Sequence, residues 1–517
     1  MARADAAEPG AGRVPPAADL LLAAVLGALH SLPFVHTAAW ALQLACVGVL
    51  AWRVSRAAPW RAAALGLCFG TAWLACGTWW LFISLHRYGG LPAWMAASAV
   101  GLLAVLLSLY LAAAMAAAAR WRCGRVLPDA LLFAAVWLLA ELARGVIFTG
   151  FPWVASGYAH VDGPLAVLAP WIGVYGLGAV AAWLAAVVAL QPARRPVRAL
   201  AAAGGAVALL AGLAAAGAPG FTRPSGTLSL TLLQGNVAQD EKFAAEHLPG
   251  ALDWARTQLL AARGELVLAP ETVIPLLPDQ LDPAWWAPIA AHFHGGTQAV
   301  LLGLPLGSYD AGYTNSAAGL SADTRGLAGG YYRYDKHHLV PFGEFIPTGF
   351  RWFTELMNIP LGDFSRGPLV APSFGFRGER IAPNICYEDL FGEELAARFV
   401  DEAQAPTVLA NLSNIGWFGD SIAVAQHLQI SRLRTLELQR PMLRATNTGA
   451  TAAIDHRGRV THALAPHTQG VLDARVEGRT GLTPFAWWAG RFGLTPLALL
   501  AFAVVAVRAL AARRGGA

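Results

Sequence analysis

The distribution of apolar residues constrains this chain more than any other feature of its sequence. Eight apolar runs, most of them about as long as a bilayer is thick, lie outside one long polar stretch. Membrane-spanning helices are predicted over residues 18–32, 34–52, 62–85, 92–119, 127–142, 165–190, 200–217 and 493–510. The sequence therefore predicts a transmembrane domain of seven helices (1–220), a polar domain (221–480), and a C-terminal transmembrane helix with a cytoplasmic tail (481–517).

Charged residues are rare, and their placement predicts an orientation. Only 13% of the 517 residues are charged, against about 25% in ordinary soluble domains. The formal net charge is +5, and arginines cluster after the second, fourth and sixth apolar runs and at both ends of the chain. By the positive-inside rule, both termini are expected in the cytoplasm. The polar domain follows an odd number of spans, so it is expected on the opposite face, the periplasm or the cell exterior.

A pair of charged residues and an aromatic loop lie near the end of the fifth apolar run. Glu141 and Arg144 are three residues apart, which allows a local ion pair, and we expect that pair to be structural. The following loop, residues 145–158, is rich in glycine and aromatic residues. It predicts either a belt of interfacial anchors or a surface shaped for lipid beneath an active site.

The polar domain alternates strand-like and helical segments. Strands are expected at residues 228–234, 299–303, 407–411 and 451–454, and helices at 251–263 and 285–293. This alternation favours a layered α/β architecture. No aromatic and basic interleaving of the kind that binds nucleic acid is present, so nucleic acid is not expected as a partner.

Three reactive side chains follow strand-like runs in the polar domain: Glu271, Lys336 and Cys386. Cys386 is the only one of the five cysteines in this domain, so it has no local disulfide partner. A thiol needs a base or a nearby positive charge to act as a nucleophile, and Glu271 can take its proton. Lys336 and the backbone N–H of Tyr387 can hold a developing oxyanion. The three residues could therefore form an acyl-transfer site.

Two other arrangements use histidines. Asp335, His337 and His338 suggest a metal site, but the chain lacks cysteine and histidine spacing of the zinc type, so no metal is expected. A Cys–His nucleophile pair could use His337, His338 or His427, and sequence spacing leaves that alternative open.

These segments resemble the nitrilase superfamily, whose members use a Glu-Lys-Cys triad on an αββα sandwich. With apolar runs on both sides, the chain is similar to the apolipoprotein N-acyltransferase family, the membrane-bound branch that completes bacterial lipoproteins. The resemblance rests on Leu232-Leu233-Gln234-Gly235-Asn236, Pro270-Glu271-Thr272, Lys336-His337-His338, Ile385-Cys386-Tyr387-Glu388, Trp417-Phe418-Gly419, Glu141-Leu142-Ala143-Arg144-Gly145 and Thr149-Gly150-Phe151-Pro152-Trp153.

By position, the resemblance makes Glu271 the base, Lys336 the oxyanion stabiliser and Cys386 the nucleophile. It also makes Glu344 a support for the lysine, with Tyr387 and Glu388 completing the pocket. Three further residues are implied in substrate binding or in a cover over the site: Trp417, Phe342 and Phe243. The chain departs from the family at Phe243, where a tryptophan is expected, and after Asn414, where an acidic residue is often found.

The implied reaction has two steps. Cys386 takes an acyl chain from a phospholipid, with phosphatidylethanolamine as the expected donor, and passes it to the N-terminal α-amine of a diacylglyceryl-cysteine apolipoprotein. No cofactor is implied, and the expected location is the bacterial inner membrane. A membrane-tethered amidase or nitrilase that passes the acyl group to water is the alternative enzyme. A transporter is disfavoured because the predicted spans contain almost no ionisable residues.

Overall fold

The computed structural model describes residues 17–192, 196–217, 219–242, 244–346 and 364–514. Phe243 lies outside the described residues, as do the arginines at positions 3, 13, 194 and 195. The N-terminal part consists of helices that follow the predicted apolar runs. They are α1 (Ala17–His30), α2 (Trp40–Val54), α3 (Pro59–Thr78), α4 (Leu81–Ile83), α5 (Ala93–Trp121), α6 (Val126–Val146), α7 (Ala169–Ala189) and α8 (Pro196–Ala216).

Six helical segments among the described residues are long and apolar enough to cross a membrane, which is fewer than the eight predicted spans. They are Ala17–Phe34, Thr37–Val54, Ala93–Trp121, Val126–Thr149, Pro164–Ala189 and Thr495–Arg514. The predicted span 62–85 is broken, because Pro59–Thr78 and Leu81–Tyr88 meet at a bend of 62°. The predicted span 200–217 corresponds to a shorter apolar segment, Leu200–Ala216, at the lower limit of the length that crosses a bilayer.

The basic loops of the helical part lie together at one end. The Arg122 guanidinium donates to the carbonyl of Ala57 at 2.7 Å, which joins the loop after α5 to the loop after α2. The Arg508 guanidinium, in the last helix, donates to the carbonyl of Trp121 at 2.9 Å. These contacts place three of the predicted basic clusters at a common face.

The polar part forms two six-stranded sheets. The first has the strand order β12-β1-β2-β3-β4-β5 and the second has the order β11-β10-β9-β8-β7-β6. Their strands are β1 (Thr222–Gln234), β2 (Leu266–Leu268), β3 (Ala299–Ser308), β4 (Gly312–Leu320), β5 (Tyr332–Asp335), β6 (Phe374–Phe376), β7 (Glu379–Ile385), β8 (Val408–Ser413), β9 (Met442–Thr446), β10 (Ala452–Ile454), β11 (Val460–Ala463) and β12 (Gly470–Gly481). Each sheet holds parallel pairs at its centre and antiparallel pairs at its edges.

The two sheets pack face to face around a buried aliphatic core that includes Leu232, Leu268, Ile385 and Leu412. Helices cover both outer faces. They are α9 (Leu248–Ala261) and α10 (Pro283–Gly295) on the first sheet, and α11 (Gly392–Ala397), α12 (Ile422–Leu438) and α13 (Pro484–Phe492) on the second, followed by α14 (Thr495–Arg514). The sequence-based prediction of an αββα sandwich is therefore confirmed, and each helix or strand predicted within it overlaps an observed element to within two residues at its ends or lies inside it.

Helix α12 joins the sandwich to the membrane helices. Most of its residues are buried, because one side packs on the second sheet and the other joins the core of the helical part. Gln426 lies at the centre of this contact. Its side-chain oxygen accepts from the indole N–H groups of Trp80 (3.0 Å) and Trp153 (2.8 Å), and its amide donates to the carbonyl of Gly77 (2.9 Å).

The loop at residues 145–158 has an exposed part and a buried part. Ile147 and Phe148 are exposed, Phe148 to 92%, so a role of this part as an interfacial anchor or a lipid-facing surface stays a prediction. Tyr158, by contrast, is only 2% exposed and belongs to the packed core.

The predicted pair of Glu141 and Arg144 is present at 3.6 Å and holds the buried part. Glu141 accepts from the backbone and hydroxyl of Ser156, and Arg144 donates to the carbonyl of Trp153, which is 3% exposed. This part of the loop is thus a buried connection between the two parts of the protein.

Gln426→Leu is expected to destabilise this connection. The substitution leaves the indole N–H of Trp153 without its acceptor, and a buried unpaired donor costs about 1–3 kcal/mol. The midpoint of thermal unfolding in detergent micelles should fall. Gln404→Leu, at an exposed position, is the matched control and should leave the midpoint unchanged. Equal midpoints for the two variants would contradict the assigned role of Gln426.

Candidate active site

The three predicted reactive residues all lie where a strand ends. Lys336 and Cys386 directly follow β5 and β7, and Glu271 lies three residues beyond β2. Since β2 and β5 belong to the first sheet and β7 to the second, the residues approach one another across the sandwich. The structure therefore places all three at one end of the interface between the sheets.

Lys336 is the most buried charge of this group, with 1% of its surface exposed. Its Nζ lies 2.9 Å from both carboxylate oxygens of Glu344 and 3.6 Å from the Oε1 atom of Glu271. Burial lowers the pKa of an amine, but here the two carboxylates outweigh burial, so the pKa of Lys336 lies above its usual value. The residue is a permanently charged ammonium.

Glu271 is held by neutral hydrogen-bond donors on both carboxylate oxygens. The Asn315 amide donates to Oε1 of Glu271 at 2.7 Å and also to Glu344 at 2.7 Å, so it bridges the two carboxylates. The backbone N–H of Asn414 donates to Oε2 at 2.8 Å. Gly303 makes room for this turn, since a Cβ there would lie 2.6 Å from the carbonyl oxygen of Pro270.

Cys386 adopts a backbone conformation that non-glycine residues rarely take, with φ of 53°. The Asn411 amide donates to its carbonyl at 3.1 Å, which holds the strained turn in place. Such strain is a feature of functional sites and is maintained by the surrounding structure. Cys386 as a whole residue is half-buried.

The Cys386 thiol is electrostatically coupled to the lysine and to the carboxylates. Burial and the negative charge of Glu271 raise its pKa to about 12, and the ammonium of Lys336 opposes them. At neutral pH the sulfur therefore carries its proton. Nucleophilic attack requires that a base remove that proton as the reaction proceeds.

Glu388 links the lysine segment to the cysteine turn. Its Oε1 accepts from the backbone N–H groups of His337 (2.7 Å) and His338 (3.2 Å), and its Oε2 accepts from Ile385 N–H (2.6 Å) and the Tyr334 hydroxyl (2.7 Å). Burial raises the pKa of this carboxyl. Because four donors from both segments converge on it, Glu388 fixes how Lys336 and Cys386 face each other.

The alternative of a Cys–His pair is not supported by the geometry. His427 donates from Nε2 to Asp389 at 2.9 Å, and its Nδ1 accepts from Arg444 at 3.2 Å, since arginine can only donate. Its contact with Cys386 is to the backbone carbonyl, at 3.2 Å. His337 binds the carbonyl of Gly367, and His338 binds Glu394. Each ring is thus engaged away from the sulfur.

The other predicted site residues surround this group. The Tyr387 hydroxyl donates to the carbonyl of Gly150 at 3.0 Å and so ties the cysteine turn to the membrane helices. Phe342 lies in the turn that presents Glu344 and is half-buried. Trp417 packs edge-on against Tyr88 of the bent segment at 5.6 Å, at the seam between sandwich and membrane helices. Phe243 lies outside the described residues.

Three residues of the site were missed by sequence reasoning: Lys242, Asn315 and Asn414. Asn315 stands between Thr314 and Ser316 in a strand whose other residues are mostly buried. A run of three polar residues inside a buried strand is a signal that could have revealed it. No sequence signal marks Lys242, which lies in an irregular loop. Its Nζ donates to the backbone carbonyl of Glu271 at 3.0 Å.

The αββα sandwich, with a thiol, a carboxylate and an ammonium at the strand ends, defines an enzyme of the carbon–nitrogen hydrolase class, and residues 232–485 match the family described as carbon-nitrogen hydrolase. Residues 26–187 match the family described as apolipoprotein N-acyltransferase N-terminal domain. An apolipoprotein N-acyltransferase from Verminephrobacter eiseniae is 56% identical over 483 residues, which cover 88% of this chain and 89% of that protein. One from Ralstonia nicotianae is 46% identical and covers 95% and 93%. This chain belongs to the apolipoprotein N-acyltransferase family.

Glu271→Gln and Lys336→Met are expected to change the reactivity of the thiol in opposite directions. Loss of the carboxylate lowers the thiol pKa, whereas loss of the ammonium raises it. At pH 8, alkylation of Cys386 by iodoacetamide should be about threefold to tenfold faster in the first variant and slower by a similar factor in the second, which corresponds to about half a unit to one unit of pKa.

The rate is measured by mass spectrometry of the peptide that contains Cys386. Glu246→Gln, an exposed carboxylate removed by the same change, is the control and should match the unmodified chain. A slower reaction in Glu271→Gln would show that the carboxylate does not face the thiol as described.

Proposed function

We propose that this chain transfers an acyl group from a phospholipid to the N-terminal amine of an apolipoprotein, with Cys386 as nucleophile, Glu271 as base and Lys336 as oxyanion stabiliser. Membership of the family supports the acyltransferase activity and the apolipoprotein substrate. The observation that supports the residue assignment is the buried Lys336 ammonium, held between Glu271 and Glu344 and coupled to the thiol of Cys386.

In the first step, the Cys386 sulfur attacks the ester carbonyl of the phospholipid while Glu271 takes the thiol proton. The carbonyl oxygen becomes an oxyanion, which the Lys336 ammonium and the backbone N–H of Tyr387 stabilise. The bond from the carbonyl carbon to the glycerol oxygen then breaks. Glu271 returns the proton to that oxygen, so a lysophospholipid leaves and a thioester remains.

In the second step, the α-amine of the diacylglyceryl cysteine attacks the thioester carbonyl. Glu271 takes a proton from the attacking nitrogen, and the same groups stabilise the second oxyanion. The carbon–sulfur bond breaks, an amide forms, and the proton passes to the departing sulfur. The resting thiol is restored, as its raised pKa requires.

The contacts with the membrane helices support lipid-anchored substrates. The turn that begins at Cys386 is tied to the membrane part through Tyr387, and the outer helix of the second sheet is bound there through Gln426. Both substrates would therefore meet the thiol at the membrane surface. We assign Phe342 and Trp417 to the cover that keeps water from the thioester, because Phe342 is half-buried in the turn that carries Glu344 and Trp417 packs against Tyr88 of the bent segment. Phosphatidylethanolamine is the proposed donor.

A hydrolase of the same fold would pass the acyl group to water, and one experiment separates the two functions. The purified chain is incubated with phospholipid and a diacylglyceryl-cysteine peptide, and the products are identified by mass spectrometry. The transferase predicts N-acylated peptide and lysophospholipid. Fatty acid as the only acyl product would favour the hydrolase.

Cys386→Ala is expected to abolish the acyl adduct that forms when phospholipid is added alone. The mass of the intact protein should rise by one acyl group in the unmodified chain and stay constant in the variant. Cys76→Ala, which removes an exposed cysteine of a membrane helix, is the control and should still acquire the adduct. An adduct that persists in Cys386→Ala would refute the assignment.

We further propose that the protein lies in the bacterial inner membrane with the sandwich (221–480) in the periplasm. In this arrangement both termini lie in the cytoplasm: the N-terminus before the seven-helix part (1–220), and the C-terminus after the C-terminal helix (481–517). The joined basic loops support this orientation, because they lie together at one face.

The orientation predicts which cysteines react from outside the cell. Cys123 is exposed in a basic loop, so a membrane-impermeant maleimide should label it only after the cells are permeabilised. A cysteine introduced by Asp401→Cys, at an exposed position of the sandwich, should be labelled in cells with a permeabilised outer membrane and an intact inner membrane. Cys123→Ala removes the first signal and serves as its control. The reverse labelling pattern would contradict the orientation.

A further inference from the structure

A second buried amine lies beside the triad. Lys242 is in the loop between β1 and α9, and only 6% of its surface is exposed. Its Nζ donates to the carbonyl oxygen of Glu271 at 3.0 Å, the residue that we propose as the base. Among the described residues, this is the only hydrogen-bond partner of the ammonium.

The loop that carries Lys242 is fixed from two directions. The side chain of Gln239 accepts from the amide of Asn414 at 2.7 Å, and the backbone N–H of Asn414 in turn holds Glu271. Asp240 forms an ion pair at 2.8 Å with Arg87 of the bent membrane segment. The position of Lys242 is therefore linked both to the base and to the membrane helices.

Lys242 supplies a second positive charge beside the carboxylates that face Lys336. Lys336 alone offsets one of these two carboxylates, Glu271 and Glu344. An uncompensated buried charge is costly. The Lys242 ammonium offsets the other, so the two amines match this pair of carboxylates in charge.

Ionisable groups on both sheets and on its own loop lie near Lys242. Glu271 and Cys386 both act on its charge, from the first and the second sheet. On its own loop, Asp240 is directed to Arg87 and Glu241 is exposed to solvent. Glu388 is occupied by its four donors. Glu271 acts on the charge of Lys242 more strongly than Cys386 does, so a change of charge at Lys242 affects the base first and the thiol as well.

We propose that Lys242 is a positioning residue of this active site, which holds the turn of Glu271 through its carbonyl and supplies the positive charge that compensates the ionising thiol. This role rests on the proposed function of Cys386 and Glu271. Burial lowers the pKa of Lys242 to about 8, against the opposing effect of Glu271 and Cys386. The compensating charge is therefore present at neutral pH and is lost as the pH rises through about 8.

The test is the pH dependence of Cys386 alkylation by iodoacetamide in the full-length chain in detergent. A nearby positive charge lowers a thiol pKa, so Lys242→Met should raise it. At pH 7 the alkylation rate is expected to fall about twofold to threefold, the result of about a third to half a unit of pKa, which is less than for Lys336→Met because Lys336 acts on the thiol more strongly. The difference should narrow above pH 8, where the unmodified chain loses the same charge. Lys242→Arg keeps the charge and should alkylate at close to the original rate.

Lys242→Gln separates the charge from the hydrogen bond, because its amide can still donate to Glu271. If Lys242→Met fails to fold, Lys242→Gln provides the same test and should show the same shift in the alkylation curve. A curve for Lys242→Gln that matches the unmodified chain from pH 6 to 10 would overturn the proposal. Alkylation requires no acyl transfer, so this result is independent of whether phospholipid is the donor.

Discussion

The Lys336 ammonium is almost entirely removed from water, which costs free energy. The neighbouring residues of the site compensate that cost. Two carboxylates face it, and Asn315 joins those carboxylates to each other. The same carboxylates raise the pKa of the neighbouring thiol, so the charge that keeps the lysine protonated also keeps the resting sulfur neutral. In the proposed mechanism the thiolate is then generated only when substrate is attacked, which limits side reactions of a free thiolate.

The second organising interaction is the contact between sandwich and membrane helices. It is made by buried polar groups: Gln426 between two tryptophans, Tyr387 on the carbonyl of Gly150, and Glu437 on the backbone N–H of Val174 at 2.7 Å. Polar contacts of this kind have directional geometry, so they fix the relative position of the two parts more narrowly than apolar packing alone. The pair of Glu141 and Arg144 continues these buried polar contacts into the membrane helices, because it holds the loop that carries Trp153.

Much of the fold and of the site could be predicted from the sequence, for physical reasons. Hydrophobic runs mark spans because the bilayer has a fixed thickness, and Glu271, Lys336 and Cys386 are recognisable because each reactive side chain follows an apolar strand. The bend of 62° after Thr78 was not predictable, because hydropathy is continuous across it and tertiary contacts of Trp80 stabilise it. The burial of Trp153 and Tyr158 was not predictable for a related reason. Aromatic residues suit lipid and protein equally well, and only the fold decides which they contact.

The attachment of the cysteine turn to the membrane helices also fixes the distance of the thiol from those helices. Tyr387 follows the sulfur directly, and its hydroxyl is bound to a loop that emerges from the membrane helices. In the proposed orientation the thiol is held at one level relative to the bilayer, and the esters that the proposed nucleophile could reach are those whose carbonyl groups stand at that level. Fatty-acyl esters in a bilayer share such a level whatever their chain length, because their headgroups align them. Selection among acyl donors would then begin with their depth in the membrane, before any side chain of the cleft touches them.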